Sequence, residues 1–236
     1  MKSSLCIIIA VIAGSLYCQP IQAEKLIVAI APDWNSNAGI FYLFDKTVSG
    51  WSQYGNPRNV HFGEQGLGWG KGLHGEMKGE YVKSEGDKRS PAGIFSIGRL
   101  YGIPATPPSG VRYPYAPITS ASLCIDDPDS KDYGSIIEEP AIGQDWKSAE
   151  RLHDVRPDYT YILVIEHNKE RSPRLGSCIF FHINNIPTVG CTSMDEDSMI
   201  SLLRWLDPQK STVVVQLPES EYIQSRASWN LPVIDR

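Results

Sequence analysis

The sequence has no surplus of positive charge, no internal repeat, no low-complexity linker and, beyond its first residues, no long apolar run. Each absence removes a class of protein. With 22 Lys and Arg against 27 Asp and Glu, the chain is acidic, which argues against nucleic acid as its main partner. The lack of a repeat excludes a solenoid or a propeller. Nothing divides residues 24–236, whose length suits one domain with apolar residues enough for a core. Metal chemistry finds little support. Glu150-Arg151-Leu152-His153 has no second histidine at helical spacing, and His74-Gly75-Glu76 lacks the paired cysteines of a deaminase site. Neither a metal nor another cofactor is expected. Gly66-Leu67-Gly68-Trp69-Gly70-Lys71-Gly72 lacks the Ser or Thr and the spacing of a phosphate loop, so it reads as a turn, either purely structural or beside a substrate groove.

At the N-terminus, Lys2 precedes an apolar run from Leu5 to Cys18, and Ala23 stands at a cleavage position. The run is shorter than the ~20 residues of a membrane-spanning helix, so residues 1–23 read as a secretory signal peptide, with no membrane contact beyond it. Tyr17 before Cys18 argues against lipid attachment. Cleavage removes Lys2, Cys6 and Cys18; taking one from 22 basic residues leaves 21 against 27 acidic, a formal charge of −6. Cys124, Cys178 and Cys191 remain, an odd number that leaves a thiol free. A Cys124–Cys178 disulfide and two separate buried thiols both stand open. Cys178 lies four residues before His182, about 13 Å along an extended strand, which places it badly for contact with a Cys191 that reaches His182.

Short runs rich in Val, Ile, Phe and Tyr, separated by Gly, Pro, Asn or Asp, indicate a mainly β protein. Expected strands are Leu26–Ile30, Ile40–Phe44, Val60–Phe62, Ile94–Ile97, Tyr161–Ile165, Ile179–Ile183 and Val213–Leu217. Expected helices are Asp145–His153 and Asp195–Leu206. The proline-rich stretch from Tyr101 to Tyr115 reads as an ordered surface loop, within an extended loop region around 100–160.

The chemistry concentrates at Cys191. It follows the turn Asn184-Asn185-Ile186-Pro187, which folds the chain back so that the thiol should stand beside His182 on the preceding strand. A thiol attacks as its anion, so it needs an imidazole to take the proton and local positive potential to hold the charge. Met199, Leu202, Leu203 and Leu206 share a helical face just after the cysteine. Ser193 with Glu196 has the form of a capping box. Free N–H groups of that helix are expected to face the sulfur and lower its pKa, and with the Cys191 N–H to form an oxyanion hole. Gly190 and Thr192 are the residues assigned to that hole. Of the other histidines, His167 at a strand end is a candidate to line the site, whereas His61, His74 and His153 read as surface or hydrogen-bonded residues. An ordinary buried structural cysteine is the bland alternative for Cys191.

Four segments resemble the L,D-transpeptidase (YkuD-type) family of peptidoglycan enzymes, in its longer exported branch. They are Gly86 to Ile97 with its Ser90-Pro91-Ala92-Gly93 turn, Cys124-Ile125-Asp126-Asp127-Pro128, Gly176 to Ile183, and Thr188 to Met194 running on to Asp207-Pro208. Val189 stands where the family commonly has histidine, and Ser193 where it commonly has Arg or Asn. The His-to-Cys spacing is shorter than in many relatives. The resemblance implies a β-sandwich or barrel in the periplasm, with Cys191 as nucleophile, His182 as base, and a backbone carbonyl of Ile183 or Asn184 orienting the imidazole. Thr188, Ser193, His167 and Arg89 are candidate substrate contacts. The substrates implied are peptidoglycan stem peptides, and carbapenem-type lactams would acylate the same thiol. Rival readings are an L,D-carboxypeptidase or cross-link- or lipoprotein-trimming peptidase on the same site, and a noncatalytic peptidoglycan-binding envelope protein.

Overall fold

The computed structural model describes residues 21–140 and 142–234. The expected signal peptide falls on residues 1–20, outside them, and on Ile21–Ala23. Ile21 and Ala23 are buried, and the Ile21 N–H donates to the Trp229 carbonyl.

The β-rich pattern becomes thirteen strands among the described residues. They are β1 Lys25–Ala31, β2 Ala38–Thr47, β3 Gly50–His61, β4 Leu67–Trp69, β5 Ser90–Gly102, β6 Tyr115–Pro117, β7 Ser122–Cys124, β8 Ile136–Glu138, β9 Glu150–Arg151, β10 Tyr161–Ile165, β11 Phe180–Ile183, β12 Thr192–Met194 and β13 Thr212–Pro218. Helix α1, Glu196–Trp205, follows β12, and helix α2, Glu219–Trp229, follows β13. Every residue of β1 and β13 is buried, as near-continuous apolar runs covered on both faces require. The two pair in parallel, Leu26 opposite Val213. From them the sheet grows through β2 and β3 on one side and β5 on the other.

Long β5 closes the sheet. Gly93–Ser96 pair with β13, and Ile97–Gly102 pair with β10. The order β10-β11-β12-β3-β2-β1-β13-β5 thus returns to β10 as an eight-stranded mixed barrel. At the start of this strand Gly93 has φ +134°, and a Cβ there would sit 2.0 Å from the His74 ring, so only glycine fits. Phe41, Phe62, Phe95 and Phe181 fill the main core, with Phe41 and Phe181 edge to face at 6.1 Å.

A second, smaller sheet, β8-β7-β9, belongs to the region expected to be loop. The Cys124–Cys178 disulfide ties its central strand to the segment before β11, with Cα atoms 6.0 Å apart across 54 residues of chain. That decides the pairing the sequence left open. A separate apolar cluster of Ile118, Leu152, Tyr159, Ile162, Phe180 and Cys191 forms around it.

Two helix expectations need correcting. Asp145–His153 is not a helix: Glu150 and Arg151 pair with Cys124 and Leu123, and a 3-10 turn takes up Leu152–Asp154. Tertiary pairing overrides a weak local preference there. Helix α2 was not anticipated, because it buries only Tyr222 and Trp229 and leaves no apolar stripe to read. Between Ile103 and Pro114 there is neither helix nor strand.

Candidate functional site

Strands β11 and β12 run side by side in parallel, with Phe181 opposite Thr192 and His182 opposite Ser193. Side chains alternate along a strand, so Phe180 and His182 share a face. That register, continued by one residue, puts Cys191 beside Phe180 on the same face, and the Phe180 N–H donates to Cys191 Sγ at 3.3 Å. His182 and Cys191 are therefore diagonal neighbours, with Cα atoms roughly 8 Å apart at ordinary strand rise and spacing.

The Cys191 backbone is firmly held. Its carbonyl accepts from Ser90 Oγ at 2.5 Å and from Thr188 Oγ1 at 2.6 Å. Ser90 Oγ also accepts from the Gly63 N–H at 2.8 Å, so the turn at the start of β5 and the cysteine turn are clamped together. Gly190 has φ +152°, a value that glycine tolerates, and so aims Cys191 out of the turn.

Cys191 is the one free cysteine among the described residues and is 7% exposed. It lines a cavity of about 420 Å³ with Lys83, Asp126, Glu150, Tyr159 and Cys178. A larger cavity of about 510 Å³, lined by Trp69, Leu73 and Met77, holds neither Cys191 nor His182. Among the described residues no group of three or more His, Cys, Asp or Glu side chains is placed to hold a metal ion.

No hydrogen bond joins Cys191 to His182 among the described residues. The sulfhydryl instead donates to the Cys178 carbonyl at 3.3 Å. Cys178 was expected to be badly placed for a Cys191 that bonds His182; that bond is not formed, and Cys178, which takes a positive φ of 54° and turns the chain before β11 begins at Phe180, brings its carbonyl to the sulfur instead. Tyr159 is a neighbour of both candidate reactive groups. Its ring packs edge-on against His182 at 5.3 Å and against Phe180 at 5.8 Å. Its hydroxyl donates to Glu150 at 2.6 Å and is also an electrostatic neighbour of the Cys191 sulfur.

The expected acidification of the thiol is reversed. Burial pushes Cys191 up to about 12, and the Glu150 carboxylate adds to the rise; the Phe180 N–H, the Tyr159 hydroxyl and Lys83 oppose it. Burial raises Glu150 itself to about 7, with Tyr159 opposing and Asp126 adding. Burial also holds His182 below the ordinary imidazole value, so it is neutral at pH 7. The Ile183 carbonyl faces His182 Nδ1 at 3.3 Å, which assigns the proton to Nδ1 and leaves Nε2 as the acceptor.

The helix is also displaced from the sulfur. β12 intervenes, and α1 is capped by Asp195, whose side chain accepts from the Ser198 N–H at 2.8 Å. Ser193 is thus not the cap; it sits in β12 and its Oγ donates to the Ile186 carbonyl. The expected oxyanion donors are occupied. The Gly190 N–H donates to Thr188 Oγ1, and Thr192 lies in the β11–β12 ladder with its hydroxyl on Gln216. The Cys191 N–H is left without a partner among the described residues.

The other candidates are hydrogen-bonded within the fold. Arg89 donates to the Trp34 and Leu67 carbonyls and to Asn35, and its guanidinium sits 4.9 Å from the Tyr81 ring centre. His167 is buried at about pKa 4 between the Lys71 N–H and the Leu175 carbonyl. Neither lines the Cys191 cavity. Asn184 holds Asp158. Thr188 anchors the Cys191 carbonyl and so builds the site without facing the cavity. Compared with models of protein families, with curated proteins and with solved structures, the chain matches none.

Sequence reasoning missed Tyr159, Glu150 and the clamping role of Ser90. Ser90 stood in the Ser-Pro-Ala-Gly turn already singled out. Tyr159, in a 3-10 turn, and Glu150, in the two-residue strand β9, carried no signal for this role, since only the fold brings them to the cysteine.

Proposed function

We propose that the protein is a cysteine-dependent L,D-transpeptidase that remodels peptidoglycan stem peptides in the periplasm. One observation carries this reading: the free thiol of Cys191 opens on a cavity, with a neutral, carbonyl-oriented His182 on the same sheet face. The family resemblance supplies the substrate.

Cys191 Sγ attacks the carbonyl that joins the L-centre of a diamino acid to a terminal D-alanine. Its proton passes to His182 Nε2 and then to the departing D-alanine amine, leaving a thioester. An amine of a second stem peptide attacks the thioester, restores the thiol and forms the cross-link. The thioester keeps the acyl group activated, so no nucleotide is consumed. For the first proton transfer the sulfhydryl must leave the Cys178 carbonyl, which substrate entry into the cavity would bring about. The Cys191 N–H, without a partner among the described residues, is the donor available to the tetrahedral oxyanion. Carbapenem-type lactams would acylate the same sulfur.

A specific observation favours a second reading. A thiol raised to about 12 and bonded to a carbonyl suits a noncatalytic peptidoglycan-binding protein. Incubation with tetrapeptide muropeptides and mass analysis of the products separates the two. Dimers with released D-alanine support transfer; tripeptide monomers alone assign water as the acceptor and make the protein an L,D-carboxypeptidase or trimming peptidase. Binding without turnover, unchanged in Cys191→Ala, supports the noncatalytic reading.

A further inference from the structure

Tyr159 packs on the candidate base, donates to one carboxylate, and shares a cavity with the candidate nucleophile as its electrostatic neighbour. It sits in the 3-10 turn Asp158–Thr160 before β10, whereas Glu150 comes from β9 of the small sheet. Both side chains line the Cys191 cavity.

Of the other four charged groups lining that cavity, three are already engaged. Lys83 is bonded to Asp87 at 2.5 Å and to the Ser84 carbonyl. Lys88 is paired with Glu64 at 2.7 Å. Glu85 accepts from Ser177 Oγ and from Tyr133. Asp126 has one buried carboxylate oxygen without a partner and acts on Glu150 by repulsion. On the far side, His182 is held by the Ile183 carbonyl with Asp158 nearby. Glu150 has no cation partner among the described residues; its one hydrogen bond there comes from the neutral Tyr159 hydroxyl.

We propose that Tyr159 and Glu150 are a pair of positioning residues that set the protonation of Cys191, Glu150 opposing loss of the thiol proton when ionised and the Tyr159 hydroxyl assisting it. With Glu150 charged, the Tyr159 O–H is drawn to the carboxylate, and the negative charge beside the sulfur disfavours a thiolate. With Glu150 protonated, that field disappears. The proton count balances at each stage: one proton leaves Glu150 as its carboxylate forms, and a separate one leaves Cys191. The inference rests on Cys191 as the reactive thiol, but its test needs no peptidoglycan.

The test is the rate of iodoacetamide alkylation, read by mass on the Cys191 peptide, from about pH 5.5 to 9.5 for the wild type, Glu150→Gln and Tyr159→Phe. Glutamine can still accept from Tyr159, so it removes charge and keeps the contact. Glu150 titrates at about 7, so the Glu150→Gln to wild-type rate ratio should be near one below about pH 6. It should climb through neutrality to roughly three- to tenfold above about pH 8, the effect of half to one pKa unit on a thiol. Tyr159→Phe should react more slowly than wild type at every pH. A ratio that does not change with pH, or two variants that both react faster, overturns the proposal by showing mere loosening of the cavity. Should Glu150→Gln fail to fold, the wild-type profile decides alone. Its logarithmic slope should fall below one around neutrality, and a slope of one throughout overturns the proposal. If this pattern holds but no stem peptide is turned over, the proposed activity fails and the thiol control stands.

Discussion

The barrel core and the small cluster around Cys191 are built on different principles. In the barrel, the apolar pattern translates directly into pairing: β1 and β13 are near-continuous apolar runs that pair along their whole length. Around Cys191, β7, β9, the turn holding Tyr159 and the start of β11 converge from across nearly sixty positions of sequence, and a disulfide fastens them. The barrel buries a mostly apolar core, with a few paired polar groups such as Thr192 and Gln216; the cluster concentrates a thiol, a phenol and a carboxylate that must each find a partner. The first region therefore should govern stability, and the second reactivity.

Substitutions can break that division. The largest effect expected is at Cys191→Ala, which should lower turnover of tetrapeptide muropeptides by at least about 10³-fold. Its midpoint of unfolding should stay close to wild type, since a small side chain is lost. Steady-state product analysis with a denaturant curve checks both halves. Phe95→Ala, wholly buried in the barrel, should do the opposite, costing about 3–5 kcal/mol of stability while leaving the pH profile of Cys191 alkylation unchanged. A changed profile would show that the two regions are not separable.

Replacing Cys124 and Cys178 together by alanine should cost roughly 2–4 kcal/mol in a denaturant titration. It should also change Cys191 alkylation, because the Cys178 carbonyl that holds the sulfhydryl is no longer anchored. Glu150 gives the smallest effect and a defined sign. Its folded pKa of about 7 exceeds the ordinary 4.5, so the stability it lends is present below about pH 4.5 and lost as pH rises through about 7. Relative to Glu150→Gln, the wild type should lose on the order of 2 kcal/mol across that window, allowing for partial exposure. Thermal melts of both proteins at the two ends of the window measure it. Equal pH dependence in the two would place the burden elsewhere.

The same division explains what could be read from sequence. Each expected strand lies in or overlaps a strand of the barrel, because alternation and apolar runs report burial on a sheet directly. The place of Tyr159 and Glu150 beside Cys191 was not legible, because neither local pattern nor spacing encodes that meeting. The assigned Asp145–His153 helix failed for the related reason that Glu150 and Arg151 find partners in β7. At the cysteine, the motif located the residue and its neighbour His182, yet misjudged the environment. A helix N-terminus was expected beside the sulfur, whereas β12 occupies that place and burial raises the thiol instead of lowering it.

Intact-mass analysis of protein quenched during reaction with a tetrapeptide muropeptide tests the central claim most directly, with the adduct mapped by peptide and D-alanine measured in parallel. The account predicts an acyl adduct on Cys191 that lacks the terminal D-alanine, one D-alanine released per adduct, and neither in Cys191→Ala. An adduct on another residue, or D-alanine released undiminished by Cys191→Ala, would contradict it.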